Sequence, residues 1–168
     1  MNIVISISAL SLSHPVSPSN MSIISDVGNK AAVFPLQLLG FDVDIINSVQ
    51  FSNHTGYPHG YEGEVLDSQM LGKLVKGLER NGLLSGVGNI LTGYIGSESI
   101  LRAVVDVVKK VKYMNPKCRY LCDPVLGDRG EFYVPKELVV IYREEILPLV
   151  SGLCIIYFFA VPVVNNAT

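Results

Sequence analysis

The sequence is short of cysteine, of net charge and of the glycine-rich signatures that mark common nucleotide and hydrolase sites. Its three cysteines stand at 118, 122 and 154. An odd count without a Cys-x-x-Cys pair argues against a disulfide framework and for a reducing compartment. Thirteen basic against fifteen acidic side chains leave a net charge of -2, which provides no electrostatic footprint for nucleic acid or an anionic membrane. No Walker GxxxxGK(S/T), GxGxxG or GxSxG stretch occurs, so if the chain handles ATP it does so without those loops. Basic residues are also missing from the start: "MNIVISISALSLSHPVSPS" is apolar and serine-rich but lacks a basic n-region, which argues against a secretory signal. His54 and His59, with Glu62 and Glu64, do not fall at the i, i+4 spacing of dedicated zinc motifs.

What the chain does have is apolar bulk. Its 168 residues are 49% hydrophobic and 17% charged, which excludes general disorder. A single domain of this length buries roughly 70% of its unfolded surface. From Ile146 to Val164 no charge occurs, a run close to the length that spans a bilayer. Pro148, Pro162 and Ser151-Gly152 weaken a membrane reading, and a buried strand followed by an unrelated tail accounts for the run equally well.

Between the two ends, helical and strand periodicities alternate. "VGNKAAVFPLQLLG" predicts a helix from near Gly28-Asn29 to Gly40, with Pro35 in its early turns. "FDVDIINSV" alternates and is β-branched, hence a strand. "LDSQMLGKLVKGLERNG" predicts a helix capped by Asp67 or Ser68, burying Leu71, Leu74, Val75 and Leu78, and stopping at Asn81-Gly82. After the short strand "NILTGY", Ser97 caps the clearest helix, whose stripe is Ile100, Leu101, Val104, Val105, Val108 and Val111. "RYLCDP" reads as a further strand and "PKELVVIYREEILP" as a helix opening at Pro135. Cys118 and Cys122, four apart, share one face of a strand as core residues.

Such alternation predicts a parallel sheet flanked by helices, with ligands collecting beyond the carboxyl ends of its strands. Three of those ends are polar and aromatic: Gln50 to Tyr57, Thr92 to Tyr94, and Asp123 to Asp128. In "CDPVLGD", Pro124 fixes the exit and Gly127 allows a tight turn presenting Asp128. Two carboxylates so placed could hold a cation and, through it, phosphate oxygens. Alternatively Asp123 caps a turn and Asp128 is solvated. Spacing alone leaves both open. The ring of Tyr94 in "LTGYIGS" could stack on a planar ligand or simply pack on its neighbour.

"VGNKAAVFPLQLLGFDVDIINSVQFSNHTGY", "LTGYIGS", "CDPVLGD" and "YVPKELVVIYREEILPL" together resemble eukaryotic pyridoxal kinase, its plant members above all. The resemblance covers residues 27–150. It sets residues 1–26 apart as a divergent N-terminal segment and 151–168 as a divergent apolar tail. It implies a three-layer ribokinase-like α/β fold, present here in part, and transfer of the ATP γ-phosphoryl group to the 5′-hydroxymethyl of pyridoxal, pyridoxine or pyridoxamine.

By the same resemblance, Thr55 hydrogen-bonds the pyridine substituents, Val49 and Phe51 pack around the ring, and Tyr94 stacks on or borders it. Asp123 helps hold Mg2+ with ATP and a monovalent cation such as K+; Asp128 sits by the ATP phosphates, and Tyr133 lies on a flap over the nucleotide. The family serine that contacts the ring has no counterpart in frame. Nor does the sequence match the family's "TPN…E" motif, its Gly-Thr-Gly-Asp anion hole or its catalytic aspartate. The expectation is a cytosolic chain of a commonly homodimeric family, with B6 vitamers and ATP as partners and its catalysis impaired. The alternative is a truncated, non-catalytic partner of a full-length kinase.

Overall fold

The computed structural model describes residues 3–8, 29–53, 57–128, 131–132 and 134–153. In chain order its elements are β1 (Ile3–Ser8), α1 (Asn29–Leu38), β2 (Asp42–Asn47), β3 (Val49–Phe51), β4 (Gly63–Val65), α2 (Ser68–Arg80), β5 (Val87–Thr92), α3 (Glu98–Met114), β6 (Arg119–Cys122), β7 (Gly127–Asp128), β8 (Glu131–Phe132), α4 (Glu137–Ile141) and β9 (Gly152–Leu153). Five of the strands form one wholly parallel sheet in the order β2-β1-β5-β6-β9. The remaining four pair as two antiparallel hairpins, β3-β4 and β7-β8.

Ile3–Ser8, within the segment that diverges from the family pattern, lies at the centre of this sheet between β2 and β5. Its alternation of isoleucine and serine is a strand period, and Val4, Ile5, Ser6 and Ile7 are all buried. At the other end, part of the uncharged run from Ile146 forms β9, which pairs with β6. No helix of the described residues is long and apolar enough to cross a membrane, and residues 154–164 of that run lie outside them.

Strand order and right-handed crossovers together decide where the helices go. The chain steps from β1 outward to β2, then reverses and moves through β5 and β6 to β9. Right-handed connections therefore put α1 on one face and α2, α3 and α4 on the other. The core follows that division. Leu101, Val104 and Val108 of α3 pack with Leu71 of α2, Leu138 of α4 and Ile90 of β5, all buried. On α1, by contrast, Phe34 and Leu38 are exposed.

Helix α3 buries the predicted stripe together with Val107. Ser97 caps it, accepting from the Ile100 amide at 3.4 Å. Asp67 rather than Ser68 caps α2, its Oδ1 accepting from the Met70 amide at 2.6 Å. Leu71 and Val75 face the core, but Leu74 is exposed: α2 packs against α3 along a narrower seam than its hydrophobic period implies. Cys118 precedes β6 rather than lying in it, though it is buried like Tyr120 and Cys122 on the same face.

Candidate functional site

The parallel register brings four strand ends to one level. Ile7 lies opposite Ile46 on one side and Thr92 on the other, and Thr92 lies opposite Cys122. The ladder runs one step further, with the Gly93 amide donating to the Ile7 carbonyl at 3.1 Å and the Asp123 amide to the Thr92 carbonyl at 2.8 Å. Gly93-Tyr94 and Asp123 thus leave the sheet side by side, next to the point where the strand order reverses. In open α/β sheets that is where the crevice for a ligand forms.

A buried polar network holds this edge together. Ser6 Oγ donates to Asn29 Oδ1 at 2.5 Å, and Asn29 Nδ2 donates to the Ile46 carbonyl at 3.3 Å and to Asn47 Oδ1 at 2.9 Å. The first residue of α1 is thereby tied to the interior of β1 and the end of β2. Buried Ser48 breaks the strand after Asn47: its hydroxyl donates to the Tyr94 carbonyl at 3.0 Å and its carbonyl accepts from the Leu66 amide at 2.9 Å. The extended run read as one strand through Val49 therefore ends at Asn47 and restarts as β3 in a hairpin. Thr92 Oγ1 and the Tyr120 hydroxyl share a buried hydrogen bond of 2.9 Å beneath the floor.

Three of the residues expected around the ring, Val49, Phe51 and Tyr94, lie on segments that leave this edge, β3 and the end of β5. Val49 and Phe51 lie half-buried on β3, and the Phe51 ring meets that of Tyr61 with centroids 4.4 Å apart. Tyr94 is half-buried; burial pushes its phenol pKa up, and the nearby Tyr61 phenol pushes it the same way. Gly96 makes room for the Tyr94 side chain, since a Cβ there would lie 2.8 Å from its hydroxyl. Gly63, with φ +149°, lets β4 close on β3, where a Cβ would lie 2.0 Å from the Gln50 carbonyl oxygen. Thr55 lies outside the described residues.

On the other side of the crevice, Asp123 is half-buried, and burial alone pushes its carboxyl pKa up from the ordinary 3.8. Its carbonyl accepts from the Val125 amide at 2.9 Å in the turn after Pro124. The backbone of Asp128 lies in β7 opposite Glu131, so Gly127 begins a hairpin strand rather than a tight turn. Leu126 and Val134, both buried, pin the two ends of that hairpin to the core. Tyr133 lies outside the described residues. Among the described residues no group of three or more His, Cys, Asp or Glu is placed to hold a metal ion. Asp123 is the carboxylate that the strand end presents.

Sequence reasoning did not single out Ser6, Asn29, Asn47, Ser48 and Tyr61. A strand pattern with a serine at an inward position was the available signal for Ser6; for the others nothing local distinguishes them from loop residues.

A half-open parallel α/β sheet with its polar side chains gathered at the carboxyl ends of the central strands is the ribokinase-like architecture in part. No family model matches the chain. The pyridoxal kinase of Arabidopsis thaliana is 59% identical over 127 residues, 76% of this chain and 40% of that protein. The pyridoxal kinase of Homo sapiens is 50% identical over 127 residues, 73% of this chain and 40% of that protein. Among solved structures, pyridoxal kinase from Leishmania donovani in complex with ADP and pyridoxine superposes with a TM-score of 0.80 at 38% identity, covering 96% of this chain and 53% of that one. Pyridoxal kinase from Trypanosoma brucei does so with a TM-score of 0.76 at 36% identity, over 96% and 52%. The chain belongs to the pyridoxal kinase family, and it spans about 40% of the length of the curated relatives it matches.

Proposed function

We propose that these residues form the vitamer-binding wall and part of the nucleotide site of an ATP-dependent pyridoxal kinase. The observation that carries this reading is that Ser48, next to β3 with its Val49 and Phe51, is hydrogen-bonded to Tyr94 at the same end of the sheet where Asp123 follows β6, in a chain so similar to pyridoxal kinases. In this reading Val49, Phe51 and the Tyr94 ring lie around the pyridine, with Thr55 supplying a hydroxyl to its substituents. The nucleotide lies on the Asp123 side, with Asp128 by its phosphates and Tyr133 over it. The complexes of the Leishmania donovani protein with ADP and pyridoxine or pyridoxamine support this pairing of ligands.

The half-buried Asp123 carboxylate accepts no hydrogen bond among the described residues. It fits a hard cation that draws its remaining oxygen ligands from phosphates and water, as Mg2+ does, with a monovalent cation such as K+ alongside. In the reaction the 5′-hydroxymethyl oxygen bonds to the γ-phosphorus of ATP, the bond from that phosphorus to the β,γ-bridging oxygen breaks, and the hydroxyl proton passes to a base. This chain's own residues bind and orient; positioning and charge neutralisation dominate such transfers. The base and anion hole that the resemblance implies are not matched in this sequence. The exposed Phe34, Leu38, Leu39 and Ile45 on the α1-β2 side support assembly into a homodimer, and the buried cysteines Cys118 and Cys122, which form no disulfide among the described residues, suit the cytosol.

Calorimetry with pyridoxal tests the reading, using the 168-residue chain, Tyr94→Ala and Thr55→Ala. Binding by the unaltered chain that weakens in both variants is expected. Equal binding by all three would overturn the assignment.

A further inference from the structure

Ser48 is 3% exposed, and its hydroxyl reaches a carbonyl 46 positions away, that of Tyr94, at 3.0 Å. A buried hydroxyl needs a partner, and a serine at the end of a strand ordinarily finds one in its own turn. Here the partner lies at the exit of another strand. Tyr94 stands past the last residue of β5 and before the Ser97 cap of α3, so its carbonyl belongs to neither a sheet ladder nor a helix. The Ser48 carbonyl accepts in turn from the Leu66 amide at 2.9 Å, and the next residues pair as Val49 with Val65. Both strands of the β3-β4 hairpin are thus joined at Ser48. Further out the hairpin gains little support from β4, whose Gly63, Glu64 and Val65 are all exposed, whereas Leu66 beside Ser48 packs against the core. Tyr94 is fixed from its own side as well. Ile95 next to it is buried, and Gly96 leaves the space its ring occupies, where a Cβ would lie 2.8 Å from the Tyr94 hydroxyl.

We infer that Ser48 is a positioning residue for the vitamer: its hydroxyl sets the separation between the β3-β4 hairpin, which carries Val49 and Phe51, and the segment that carries Tyr94. Without that hydrogen bond the hairpin keeps its own ladder but draws away from the end of β5, and the two sides no longer meet one planar ligand together. Buried as it is, the serine acts through Tyr94 rather than on the ligand. This inference rests on the reading of Val49, Phe51 and Tyr94 as the vitamer wall.

The test compares the 168-residue chain with Ser48→Ala, Ser48→Thr, Tyr94→Ala and the double variant of Tyr94→Ala with Ser48→Ala. Pyridoxine affinity is measured by calorimetry, and amide hydrogen exchange is followed without ligand. Ser48→Ala is expected to bind pyridoxine roughly 5-fold more weakly, the net worth of one hydrogen bond. Ser48→Thr, which keeps the hydroxyl, should recover most of that loss. In the Tyr94→Ala background, Ser48→Ala should change nothing further. Exchange at the Ser52 and Leu66 amides, which donate to Glu62 and Ser48 in the hairpin, should quicken in Ser48→Ala more than at Ile90 in the sheet. Unchanged pyridoxine affinity in Ser48→Ala, or the same fold loss with and without the Tyr94 ring, would show a purely structural hydroxyl and overturn the inference. No pyridoxine binding by the unaltered chain, or none lost in Tyr94→Ala, would instead overturn the vitamer reading beneath it. The exchange data then decide the tether alone, and equal quickening at hairpin and sheet would overturn it.

Discussion

Replacing Asn29 tests whether the carboxyl edge of the sheet is held by the network Ser6–Asn29–Asn47. Its carboxamide orientation is dictated chemically: the Ile46 carbonyl can only accept, so the atom 3.3 Å from it is Nδ2, and Oδ1 must face the Ser6 hydroxyl. Asn29→Ala removes the three bonds, each worth about 1 kcal/mol, and leaves the fully buried Ser6 hydroxyl without its acceptor, so the loss is about 3–5 kcal/mol. With a urea m-value of roughly 1–3 kcal/mol/M, the unfolding midpoint falls by about 1–5 M. Asn29→Asp keeps the acceptor for Ser6 but turns an oxygen toward the Ile46 carbonyl. Asn47 can rotate its amide to donate to that oxygen; Ile46 cannot. A carboxylate so buried and lacking a cation has a raised folded pKa. Stability of this variant is therefore present at pH below the unfolded carboxyl value and is lost as pH rises through the folded one. Equilibrium urea unfolding across pH measures both effects. A loss below about 1 kcal/mol for Asn29→Ala, or no pH dependence for Asn29→Asp beyond that of the unaltered chain, would refute the reasoning.

Other perturbations separate site from scaffold. Gly63→Ala places a Cβ 2.0 Å from the Gln50 carbonyl oxygen, so it should open the β3-β4 hairpin and abolish pyridoxal binding while the sheet's cooperative melting persists; calorimetry alongside circular dichroism checks this. Asp67→Ala removes the α2 cap, the acceptor of the Met70 amide, and should cost about 1 kcal/mol in urea unfolding. For Asp123→Asn the sign follows from a folded pKa raised above 3.8. The native state holds its proton more tightly, so the carboxyl's contribution falls as pH rises from the unfolded value through the folded one. The asparagine variant is expected to gain stability relative to the unaltered chain at neutral pH, a gain that vanishes in acid and is read from paired melts at several pH values.

How much of this was legible depended on whether the determining signal was local. Helix α3 was, because its valines at i, i+3 and i+4 and the Ser97 cap lie within one stretch. So was the order of alternating elements, and with it a mostly parallel sheet flanked by helices. Strand β1 carried the right period in "IVISIS", but its small serines and serine-rich sequel hid a central strand. Its placement comes from pairing on both sides with strands remote in sequence. The break at Ser48 was equally illegible, since it depends on a carbonyl 46 positions away. A buried Tyr142 fits the apolar face of its helix; that its hydroxyl meets no partner among the described residues is a property of the packed interior, which periodicity does not encode.

The central claim is that the ends of β2, β5 and β6 with the β3 hairpin are the vitamer and nucleotide wall. Amide chemical-shift mapping of the 168-residue chain with pyridoxine, then with Mg2+ and ADP, tests it most directly. The account predicts that pyridoxine perturbs Ser48–Phe51 and Gly93-Tyr94, and that the nucleotide perturbs Asp123 and Val125–Asp128. Shifts confined to the α2-α3 face, or none at either set with the chain folded, would contradict it.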